Sequence, residues 1–158
     1  MVEEELRARI EALREILETR PDGIRAGSLP HGIDSIGLAE LPPDLALMLS
    51  ITNGPRCGTV VLFADSELPS AQFYCESVDG GSERWICFGT YDVVPLFMDR
   101  RSQSIWWDSN EDGVPVPLAD NIFTFFKDYL VGERYSELAV SGGDYWQEII
   151  YGLNGSEA

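Results

Sequence analysis

Hydrophobic positions recur with a helical period at the start of the chain. Leu6, Ile10, Leu13, Ile16 and Leu17 fall on one stripe, and Glu3, Glu4 and Glu5 supply the negative charge that a helix N-terminus favours. The pattern predicts an amphipathic helix over residues 3–19, stopped by Pro21, Asp22 and Gly23. Residues 24–36 carry Gly27, Pro30 and Gly32 with no clear period and read as a connecting loop, which holds the lone His31. A second helix is predicted from Pro42 or Pro43, since proline is tolerated in a first turn. Asn53-Gly54-Pro55 ends it: Asn and Gly take the left-handed conformation cheaply, and Pro55 prevents continuation.

From residue 58 to 117 short apolar runs alternate with turn residues, predicting strands over 59–63, 72–76, 84–88, 94–99, 104–108 and 114–118. Short strands this close in sequence pair antiparallel, because a parallel return needs a long crossover. After Asp120, an expected N-cap, Ile122, Phe123, Phe126 and Leu130 share a helical face with Gly132 as its stop. Trp146, Ile149, Ile150 and Leu153 predict a last helix over 144–153. Helices, strands and helices in separate blocks argue for an α+β fold. The expectation is a single domain over residues 1–154, a largely antiparallel sheet of about six short strands with helices at both ends, and a frayed tail at 155–158.

Length and composition agree with one folded domain: at 158 residues, 44% hydrophobic and 24% charged, the chain is far from the signature of disorder. Charge changes the picture more. With 11 Lys and Arg against 27 Asp and Glu, the formal charge is -16 and the sequence pI about 4.2. Such a chain repels a phosphate backbone or an anionic lipid surface, so neither nucleic acid nor membrane is an expected partner, and a basic protein is. Residues 102–158, with ten acids against two bases, would meet that partner first. No run approaches the roughly 20 apolar residues of a membrane span, and the charged N-terminus lacks a signal-peptide block, so a cytoplasmic protein is expected.

Candidate chemistry is sparse. Serine or cysteine catalysis needs an imidazole, and His31 in a Pro/Gly loop is the only one. GxSxG, Walker, GxGxxG and HExxH patterns are all missing, so no catalytic residue and no cofactor is expected. Cys57, Cys75 and Cys87 form no CxxC pair and read as buried thiols rather than a disulfide framework or zinc site. Asp108-Ser109-Asn110-Glu111-Asp112-Gly113 matches the first half of a calcium loop, but its twelfth position is Ala119 where a bidentate Glu is required. A hairpin turn accounts for the same residues, so no metal is expected.

Strand side chains alternate between faces. Three predicted strands therefore offer an aromatic followed by an acid on one side: Tyr74 with Glu76, Phe97 with Asp99, and Trp106 with Asp108. Their opposite sides carry Phe73 and Cys75; Val94, Leu96 and Met98; Ile105 and Trp107. If the strands adjoin, the six residues form an aromatic, acidic patch of the kind that anchors a basic protein. The alternative is a second core, with the C-terminal helices covering that face as well. Phe63, Trp85 and Phe88 are expected to be core residues.

Together these marks resemble the SUKH superfamily, the group related to the yeast Smi/Knr cell-wall assembly regulators. Leu41-Pro42-Pro43-Asp44-Leu45 leading to Asn53-Gly54 is similar to its opening. Trp85-Ile86-Cys87-Phe88-Gly89, a strand ending at Asp99, and Ile105-Trp106-Trp107-Asp108 resemble its strands. Leu118-Ala119 with Phe123 and Phe126 resembles the helix that closes the pattern, over residues 36–131 in all. The resemblance implies an α+β domain without catalytic residues, used in many bacteria as an immunity protein that binds and neutralises a cognate polymorphic toxin, commonly a nuclease. Other members serve as regulatory protein-interaction scaffolds, which is the alternative reading.

Overall fold

Short strands satisfy their backbone groups by pairing, and here each strand pairs with its neighbours in the chain, even where a helical segment separates them. The computed structural model describes residues 2–20, 26–34, 40–92, 94–108, 110, 112–138 and 146–150. Its strands are β1 (Gly27–Ser28), β2 (Arg56–Cys57), β3 (Val60–Leu62), β4 (Trp85–Tyr91), β5 (Val94–Asp99), β6 (Ile105–Trp107) and β7 (Val116–Ala119). They form one seven-stranded antiparallel sheet whose spatial order is the chain order. The helices are α1 (Val2–Thr19), α2 (Pro43–Ile51), α3 (Leu68–Ala71), α4 (Gly81–Arg84), α5 (Ile122–Phe125) and α6 (Tyr135–Leu138). A 3-10 helix spans Gln72–Ser77, a π-helical turn spans Phe126–Leu130, and residues 146–150 are helical. The α+β architecture is the expected one, with one strand more than expected.

The stripe on α1 behaves as its period requires: Leu6, Ile10 and Leu13 are buried, and Ile16 and Leu17 pack partly buried against the core. Arg14, also buried, ties the helix down by donating from Nε to Leu29 O at 2.6 Å and from a terminal nitrogen to Pro30 O at 3.0 Å. Pro43 opens α2, and Gly54 takes φ +82° beyond its end. Asn53 then exchanges two 2.9 Å hydrogen bonds with Asp65, closing the turn onto the chain that follows β3. In β4 a bulge between Cys87 and Gly89 bends the strand, and a Cβ at Gly89 would lie 2.6 Å from Val61 O.

Three local expectations are corrected. Residues 27–28, expected in a loop, form β1, a two-residue edge strand with no period to read. Asn121 rather than Asp120 caps α5, its side chain accepting from Thr124 N at 2.8 Å. Residues 72–76 are no strand but part of the 3-10 helix. Its period of about three puts Gln72, Cys75 and Val78 on the side facing the sheet and leaves Phe73 outside. The predicted last helix is present at 146–150, while its remaining positions and the 155–158 tail lie outside the described residues.

The main core lies on one face of the sheet. Leu96, Met98, Ile105 and Phe88 pack there against α1, α2, α5 and the following turns, with Phe125, Phe126, Tyr129, Leu130, Tyr135 and Trp146 all buried. The C-terminal helices therefore cover this face. On the opposite face Trp85, Cys87 and Phe97 form a smaller cluster with Cys75 and Val78 of the segment that runs from α3 to α4 and covers them.

Candidate functional site

The second face is shaped by how its covering segment is attached. Leu68, Ala71, Cys75 and Val78 are buried along residues 68–84, and side-chain hydrogen bonds add to that burial in tying the segment to the sheet. Gln72 donates from Nε2 to Cys87 O and to Leu68 O, both at 2.8 Å, and accepts from Cys87 N at 2.9 Å. The β3 ladder ends at the Leu62–Gly89 pair, and at Cys87 the Gln72 amide takes up the backbone N–H and carbonyl. Trp85 Nε1 donates to Asp79 O at 2.6 Å, fixing the far end of the segment. Cys87 lies beneath, its thiol pushed up to about 12 by burial, and burial raises Cys57 and Cys75 as well. All three thiols are free and buried, as expected.

The six expected site residues are not a single exposed patch. Phe97 is completely buried between Trp85 and the covering segment, at 6.0 Å between ring centroids, so it is a core residue and offers nothing to a partner. Asp108 is buried too. Its two carboxylate oxygens accept from Asp112 N and Gly113 N, each at 3.2 Å, and Asp112 in turn accepts from Val114 N at 3.0 Å. These bonds build the turn that the Asn/Asp/Gly run predicts, with Gly113 at φ +79°. Ser109 and Glu111 lie outside the described residues.

Asp99 is also turned inward to its own chain. Its carboxylate accepts from Arg101 N at 2.8 Å, Ser102 N at 3.0 Å and Arg84 Nε at 3.1 Å. Burial works against its charge, but those donors outweigh burial and hold the carboxyl below its ordinary value of 3.8. The Arg84 guanidinium then lies 4.2 Å from the ring of Trp85 and 5.2 Å from that of Trp106, a cation-π stack. Trp106 is half-buried against the small cluster, edge-on to Trp85 at 5.4 Å, and donates to Ser104 Oγ at 2.8 Å.

Tyr74 and Glu76 leave the sheet altogether and sit on the covering 3-10 helix, Tyr74 half-buried and Glu76 exposed. The structure adds a residue that strand alternation had turned inward. Phe73 is 59% exposed and stacks on Tyr74 with ring centroids 4.2 Å apart. Around this pair, residues 64–83 carry Asp65, Glu67, Glu76, Asp79 and Glu83, all exposed, and no basic residue. The spacing of Gln72, Cys75 and Val78 was the available signal: a period of three rather than two.

No protein-family model, curated protein or solved structure matches the chain. No described helix is long and apolar enough to cross a membrane.

Proposed function

We propose that the protein is a non-enzymatic immunity protein that neutralises a basic toxin domain in the cytoplasm by stoichiometric binding. The observation that carries this reading is exposed Phe73, stacked on half-buried Tyr74, with five exposed carboxylates along residues 64–83 and no base among them. An exposed aromatic costs solubility and gains nothing for a free monomer, whereas at an interface it is a rigid anchor of large area. Carboxylates around it steer a cationic partner and reject anionic ones. The resemblance to the SUKH pattern and the net charge of -16 point the same way. Further support comes from the thiols, which are buried and held protonated by that burial.

An affinity pulldown from the native cell, at low and at high salt with mass spectrometry, tests the reading. The expected result is one basic toxin domain retained at low salt and lost as salt rises, whose activity falls to zero at one equivalent of this protein. A stable complex with an endogenous regulatory protein instead would replace the immunity reading by the scaffold one. Recovery of no specific protein would refute both.

A further inference from the structure

In a chain this acidic, the few cations are placed unevenly. Between residues 57 and 126 the only basic residues are Arg84, Arg100 and Arg101, and Arg84 and Arg101 meet at one cleft. The cleft, about 490 Å³, is lined by Gly80, Glu83, Arg84, Asp99, Arg101 and Ser102. Arg84 is held from behind: Asp99 takes its Nε at 3.1 Å, and Trp85 and Trp106 stack on the guanidinium. Among the described residues its terminal nitrogens, and the whole Arg101 guanidinium, make no hydrogen bond. Asp99 stays ionised, but its carboxylate is engaged by three donors, and its charge is offset by the Arg84 guanidinium that it holds.

A guanidinium fixed through Nε, with its outer nitrogens open, is preorganised for a bidentate oxyanion and loses little freedom when one arrives. The volume suits a small organic molecule better than a bare ion. The geometry points to a binding site for a small organic anion whose phosphate or carboxylate lies between Arg84 and Arg101. This site does not depend on the partner reading above, since it lies at the Arg84 end of the acidic segment, away in sequence from Phe73 and Tyr74, and takes a ligand of the opposite charge. Glu83 at the rim opposes the ligand and sets its affinity.

The test is calorimetric titration of the full chain with inorganic phosphate and with citrate at constant ionic strength, chloride serving as the inert anion. Saturable binding of at least one is expected, and the tighter of the two identifies phosphate or carboxylate as the recognised group. Arg101→Gln, an exposed change, should weaken it about tenfold or more, and Glu83→Gln should strengthen it severalfold. Circular dichroism shows that each variant is folded. No saturable binding of either anion would overturn the proposal, as would binding unchanged in Arg101→Gln or no tighter in Glu83→Gln.

Discussion

The two faces of the sheet are made by the same strands, and they are closed in different ways. One receives long side chains from α1, α2, α5 and the C-terminal turns, and Ile10, Leu13, Leu96, Met98, Phe125 and Phe126 all reach 0% exposure there. The other buries Trp85, Cys87 and Phe97 beneath a short, acidic strap that contributes Cys75 and Val78 and that Gln72 and the Trp85 indole fasten by hydrogen bonds. Apolar area scales with stabilisation, so most of the folding free energy belongs to the first face. A strap fastened by a few polar ties leaves its outer surface free to carry residues that folding does not need, and Phe73 is one of them. On the proposed function, stability and recognition are divided between opposite sides of one sheet.

The division can be broken by mutation, beginning with the largest effect. Phe125→Ala, in the main core, should cost about 3–5 kcal/mol in urea unfolding; a loss under about 1 kcal/mol would show that this face does not dominate. Gln72→Ala strands the Cys87 N–H and carbonyl, and should cost about 1–3 kcal/mol. Hydrogen exchange at the Cys87 amide and proteolysis within residues 64–84 should both accelerate in that variant while the α1 amides keep their relative protection. Trp106→Ala, half-buried, should cost about 1–2 kcal/mol, clearly less than Phe125→Ala.

The smallest effect concerns pH. Because the folded Asp99 carboxyl is held below 3.8, its contribution is fully present above that value and is lost as pH falls through the folded value. The stability gap between the wild type and Asp99→Asn should therefore be constant above about pH 5 and close progressively below pH 3.8. A gap that narrows between pH 5 and 8 would contradict the hydrogen-bonding seen around Asp99. The thiols give a parallel check: with Cys87 raised to about 12 and all three buried, alkylation at pH 8 should be slow in the folded protein and fast in urea.

Much of the fold was legible in the chain because its signals are local. The α1 stripe, the Pro43 start, the Asn53-Gly54 stop and the full extent of β5 follow from periodicity and turn chemistry. The site was less legible. QFYCE alternates as a strand does, and within those five residues a period of two cannot be separated from one of three; the spacing shows only when Val78 is included, and the tie from Gln72 to β4 fixes it. Alternation did place Phe97, Asp99 and Trp106 on one face, with Phe97 opposite Trp106 in register. Which segment covers that face is a tertiary fact, and it is what buries Phe97. Asp108 was misread for a related reason, since a carboxylate beside a Gly-rich turn can serve its own backbone as readily as a partner.

The central claim is that the strap face, not the helical face, recognises the partner. The direct measurement is the affinity of the captured basic partner for the wild type and for Phe73→Ala, a surface change that leaves both cores intact. A hot-spot aromatic should cost about 2 kcal/mol, or about 30-fold in Kd, with unfolding stability unchanged. Undiminished affinity in Phe73→Ala, and again in Phe73→Ala with Tyr74→Ala, would contradict it.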